Sequence, residues 1–159
     1  MILLAHMVFG AAVGYKAYFL TNNILLAGFL TLLSHYFLDA FPHVEYLKST
    51  EESIGRLKNG GFKENLADFA MVFSDFCTGL LIIFLASTNQ AVIYAFALIG
   101  AIPDGLTIIN SLFPKTILQK HQHMHAMVHY FTKIKKFPMF WRIATQVLAV
   151  TISIILLKY

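Results

Sequence analysis

The stretch KHQHMHAMVHY, from Lys120 to Tyr130, places four of the chain's seven histidines within eleven residues. Neutral imidazoles are common metal ligands, and they act best with carboxylates that share or orient the ion. The chain offers several such partners. His35 and Asp39 are four residues apart, so on a helix they share a face, and both side chains can reach one ion. His121, His125 and His129 repeat the same spacing and form one stripe, from which two could bind a single ion; His123 lies off it and fits an interfacial surface. His6, His43, Asp75 and Asp104 complete the candidates. The donors are nitrogen and oxygen without sulfur, a set that suits zinc, manganese or iron. The single cysteine, Cys77, rules out an internal disulfide or a thiolate cluster.

These residues must be positioned by helices in a membrane. The 159 residues are 58% hydrophobic and 13% charged, about half the charged share of a soluble domain. The length fits one integral-membrane domain covering residues 1–159, and no stretch alternates with the period of a strand. The expected fold is an all-α polytopic bundle of about five spans, with an additional cytoplasmic-side helix bearing the histidines. The spans are Ile2 to Leu20, Asn23 to Phe41, Glu64 to Ala86, Gln90 to Phe113, and Phe137 to Leu157. A turn at Gly60-Gly61 precedes the third.

Charge in the loops sets the orientation. TNN and STNQ carry none, whereas the stretch from His43 to Lys63 holds Lys48, Arg56, Lys58 and Lys63. The stretch from Pro114 to Lys136 holds Lys115, Lys120, Lys133, Lys135 and Lys136. Basic loops stay on the cytoplasmic side, which puts the amino terminus inside and the carboxyl terminus outside. Lys16 then lies near the outer end of the first span, from which it can snorkel to the interface. The net charge of +4 is therefore assigned to a membrane surface and not to nucleic acid.

In this frame, five separate segments bring histidine or aspartate to one depth range at the cytoplasmic face. At 1.5 Å per residue they lie roughly 5 to 16 Å inside it. A charge at bilayer depth costs about 2.5 to 3.5 kcal/mol, so each needs a partner or a wet cavity. Simpler roles exist for single residues. Asp68 fits the start of its helix, where a carboxylate favours the dipole. Asp104 follows Pro103 and either caps a helix that resumes there or ligates. Asp75 sits near the middle of an apolar span. The coincidence of all these groups at one face is what a shared ion would explain.

AHMVFGAAVG, LSHYFLDAFPH, SDFCTG, GAIPDGL and the late His-xxx-His together resemble the bacterial inner-membrane metal-dependent hydrolases, a family thought to be related to zinc-dependent phospholipase C and single-strand-specific nucleases. The resemblance implies metal ligation by His6, His35, Asp39, Asp75, Asp104, His121 and His125, with His43 and His129 as weaker matches. It implies a divalent cofactor, zinc first, that acidifies water and polarises a phosphoryl oxygen. Asp75 or Asp104 would orient or deprotonate that water, and Lys120 with the Lys133 to Lys136 group would hold anionic headgroups. The expected substrate is a phospholipid or lipid-linked phosphoester, and the expected partners are membrane lipids. A metal-ion or proton transporter, and a noncatalytic subunit with a structural metal, remain the alternatives.

Overall fold

The computed structural model describes residues 3–44, 62–112, 116–134 and 137–159. The Gly60-Gly61 turn, Lys48, Arg56, Lys58, Lys115, Lys135 and Lys136 lie outside these residues, as do the side chains of Lys63, Asp68 and Lys133. The described residues form six helices and no strand: α1 (Leu3–Thr21), α2 (Ile24–Asp39), α3 (Phe62–Ala86), α4 (Ala91–Leu112), α5 (Thr116–Ile134) and α6 (Met139–Lys158).

Among the described residues three helices, not five, are long and apolar enough to cross a membrane: α1, α4 over Ala91–Asn110, and α6. The apolar parts of the other two expected spans are shorter, Ile24–Asp39 and Ala70–Ala86. The second stops at Asp39, three residues before Pro42, which has no amide to continue a helix. Helix α3 is 25 residues long, with Lys63, Glu64 and Asp68 in its first turns and its apolar part over Ala70–Ala86, where Asp75 is the one charged residue. The uncharged turns TNN and STNQ are tight. Asn22 and Asn89 take positive φ angles of 50° and 57°, which asparagine tolerates better than bulkier residues. Asn23 then caps α2 by accepting the Leu26 amide at 3.0 Å.

Helix α1 is the axis of the bundle and packs against α2, α3, α4 and α6. Its small residues allow this. Ala5, Ala11 and Ala12 are buried, with Met7 and Val8 beside them and Ile83, Ile93, Ala97 and Leu157 arriving from the surrounding helices. The α1–α4 contact is closest at two glycines. A Cβ on Gly10 would stand 3.0 Å from the Gly100 Cα, and one on Gly100 would stand 2.7 Å from the His6 carbonyl oxygen. Close backbone approach of this kind is how membrane helices gain packing energy where lipid is as apolar as the side chains. It also puts the His6 turn of α1 against the Gly100 turn of α4. The apolar residues left outside, such as Leu25, Phe29, Phe84, Leu85, Phe140 and Val147, are exposed on α2, α3 and α6, as lipid-facing surfaces require.

Candidate metal centre

Asp39 ends α2 with its carboxylate fully buried. Four imidazoles from three helices meet it. His6 Nε2 of α1 lies 3.2 Å from Oδ1. His35, His125 and His129 present Nε2 to Oδ2 at 3.1, 2.8 and 3.3 Å. The Asp104 carboxylate of α4 stands beside them, 3.6 Å from His35 Nε2 and 3.8 Å from His125 Nε2, and is partly exposed. His43 follows Pro42 and packs its ring edge-on to His129, centroids 5.0 Å apart.

The outer nitrogens explain why the inner ones point as they do. His35 Nδ1 donates to the Gly100 carbonyl at 2.8 Å, and His43 Nδ1 donates to the Phe41 carbonyl at 2.7 Å. A carbonyl only accepts, so both rings carry their proton on Nδ1 and leave Nε2 as a lone pair when neutral. His125 Nδ1 lies 3.1 Å from the Thr107 hydroxyl, which itself donates to the Pro103 carbonyl at 3.2 Å. The hydroxyl proton is thereby used, and the same tautomer follows. Carbonyl and hydroxyl partners on the far nitrogen are the usual support of a metal-ligating histidine.

When the rings are neutral, the Nε2 lone pairs of His35 and His125 converge without a proton between them. His35 Nε2 and His125 Nε2 are 3.3 Å apart, as are His125 Nε2 and His129 Nε2. Two ligands bound tetrahedrally at about 2.0 to 2.1 Å from one ion stand roughly 3.3 Å apart. The residues therefore fit a cation. Buried His6, stacked on His35 at 3.8 Å, has neither ring nitrogen in a hydrogen bond among the described residues. Three groups have the spacing to hold an ion: His6, His35 and Asp104; His35, Asp39 and His125; and Asp39, His43 and His129. The first and the third share no residue.

The backbone around His43 is clamped by α6. Arg142 Nε donates to the His43 carbonyl at 2.7 Å, Gln146 Nε2 donates to the Val44 carbonyl at 3.0 Å, and the Thr145 hydroxyl donates to the Pro42 carbonyl. Pro42 thus marks more than a helix exit: it turns the chain so that His43 faces His129.

Of the expected ligands, His6, His35, Asp39, Asp104 and His125 come together, and His43 and His129 join them. Asp75 and His121 do not belong to any of the three groups among the described residues. Asp75 Oδ2 accepts the Leu4 amide at 2.8 Å, at the start of α1, where unpaired helix amides favour a carboxylate. His121 lies one turn before His125, with Nε2 3.0 Å from the Tyr36 hydroxyl. Burial, with His125 and His35 nearby, holds its imidazole below the ordinary histidine range, so the neutral ring accepts the Tyr36 proton. Asp104 does not cap a restarted helix, because α4 runs unbroken through Pro103. His123 is exposed. The residues missing from the sequence argument are Thr107 and the α6 clamp. The i to i+4 relation between Pro103 and Thr107 was the only signal for the former.

The fold and the site define a class by geometry: an all-helical chain with three candidate membrane spans and buried His/Asp groups able to hold a metal ion. No family model, curated protein or solved structure matches the chain.

Proposed function

We propose that this chain is a membrane-embedded, metal-dependent hydrolase of a phospholipid or lipid-linked phosphoester, working at the cytoplasmic face of an inner membrane. In this reading α2 and the apolar part of α3 also cross, giving five spans with the amino terminus inside. The basic stretches before α3 and around α5 support that orientation. The resemblance to bacterial inner-membrane metal-dependent hydrolases supports the reaction class.

The observation that carries the reading is the convergence of imidazole Nε2 atoms on Asp39, with the opposite nitrogens of His35, His43 and His125 tied back. His6, His35 and Asp104 would hold one divalent ion, and Asp39, His43 and His129 a second, with His125 between them. Zinc is the first choice for such a nitrogen-rich set. Ions held there acidify water and polarise a phosphoryl oxygen. Asp104 is the partly exposed carboxylate of the group, and while one of its oxygens ligates, the other would take the water proton. The water oxygen adds to phosphorus, the ester P–O bond breaks, and a proton passes to the departing alcohol. Against an ion pathway stands the packing beyond the site, where Met7, Val8, Ala11 and Ile93 have no exposure.

The test is hydrolysis of a phospholipid in mixed micelles by purified protein. Release of a phosphorylated headgroup should stop with chelator, return with zinc, and fail in Asp104→Asn. Chelator-insensitive release, or none from a zinc-loaded protein across phospholipid headgroups, contradicts the proposal.

A further inference from the structure

The inner face of α5 is used by His121, His125 and His129, and its outer face divides into two strips. Ile117, Met124 and Met127 lie along one flank, with exposures of 77%, 47% and 61%, and Lys120 among them. Thr116, Gln119, His123 and Ala126 lie along the other and are also exposed. At about 100° per residue the two sets share the same i, i+7, i+10 spacing but occupy adjacent sectors of the helix. A helix standing in water has no use for the first strip, and one buried in lipid has no use for Gln119 and His123.

We infer that α5 lies in the plane of the membrane–water boundary, its Ile117–Met124–Met127 flank in the bilayer of anionic lipids and its Thr116–Gln119–His123 flank in water. Two observations select the bilayer as the occupant. The candidate span that precedes α5 in the chain, α4, also leaves Ile108 and Ile109 exposed. The charge is complementary to acidic headgroups: Lys120 sits within the strip, and Lys115, Lys133, Lys135 and Lys136 flank the helix in sequence. A lysine there extends its stem along the acyl boundary and its ammonium outward. The inner-face histidines then stand at headgroup depth. The inference rests on the membrane reading given above but not on the metal, and it makes the headgroup of a bilayer lipid the phosphoester within reach.

Single cysteines for spin labelling, introduced into full-length Cys77→Ser protein in phosphatidylglycerol vesicles, test this. Labels at Ile117→Cys, Met124→Cys and Met127→Cys should collide more with oxygen than with a water-soluble nickel chelate. Labels at Thr116→Cys, Gln119→Cys and His123→Cys should show the inverse ratio. Lys120→Glu should move the first set toward the aqueous ratio in phosphatidylglycerol but not in phosphatidylcholine. The same ratio on both strips, aqueous or lipidic, overturns the placement. Metal content measured on the same samples shows separately whether the site is intact.

Discussion

His35 Nε2 stands 3.1 Å from Asp39 Oδ2 one turn away on α2, while its Nδ1 is held 2.8 Å from the Gly100 carbonyl of α4. One ring is fixed from both sides, and its free lone pair is aimed at a buried carboxylate. With the ring neutral, protein groups alone leave that arrangement repulsive, whereas an ion between them turns it into ligation.

The histidines of α5 should therefore be unequal. Alanine at His125 should lower metal affinity by at least the roughly 10- to 100-fold typical of a lost supporting contact. Alanine at His123, which is exposed, should change bound metal little. His121→Ala should behave like His123→Ala in metal content, because its Nε2 is engaged by Tyr36. Elemental analysis of the purified variants decides; equal and weak effects at all three positions would remove His125 from the centre.

Thr107 should act through His125. Thr107→Val removes the hydroxyl that holds Nδ1, and metal affinity should fall roughly 10- to 100-fold. Thr107→Ser keeps the hydroxyl and should restore it. A thermal unfolding midpoint of apo Thr107→Val close to wild type would separate tautomer control from a packing defect. If Thr107→Ser fails as Thr107→Val does, the methyl group and not the hydrogen bond is what matters.

Much of this centre was legible in the sequence, because helical spacing alone places His35 with Asp39 and sets His125 on a stripe with His129. The depth of His6 and Asp104 followed from counting along apolar runs. What spacing does not encode is the pairing of faces. Spacing does not place His43, because Pro42 ends the helix before it, and the α6 residues that hold its backbone lie about 100 positions away in sequence. His121 was overweighted because both it and His129 lie one turn from His125, and only packing against Tyr36 tells them apart. Asp75 looked ligand-like because its span is apolar, but the start of α1 supplies the partner. The five apolar runs are visible in the sequence, and α2 stops short of its run because Pro42 follows it.

Two glycines of α4 should respond oppositely to alanine. Gly100→Ala puts a methyl 2.7 Å from backbone at His6, and overpacking of that kind costs about 1 to 3 kcal/mol. It should also weaken metal binding, since His6 and the Gly100 carbonyl both support the site. Gly105→Ala meets nothing within 4 Å and should stabilise the helix by roughly 0.5 to 1 kcal/mol. Unfolding in detergent measures both. Equal stability of the two variants would mean that α1 and α4 do not approach as closely as Gly10 and Gly100 allow.

The central claim is that two triads without a common residue each hold an ion, His6 with His35 and Asp104, and Asp39 with His43 and His129. The most direct measurement is the ratio of bound divalent metal to protein, taken at neutral pH on wild type, His6→Ala and His43→Ala. The account predicts about two ions in wild type, consistent with a two-metal hydrolytic site, and about one in each variant. Acidification below the ordinary histidine range should release metal from all three, because protonated imidazole cannot ligate. A folded wild-type protein that takes up no divalent metal at neutral pH, or variants that bind as much as wild type, would contradict it.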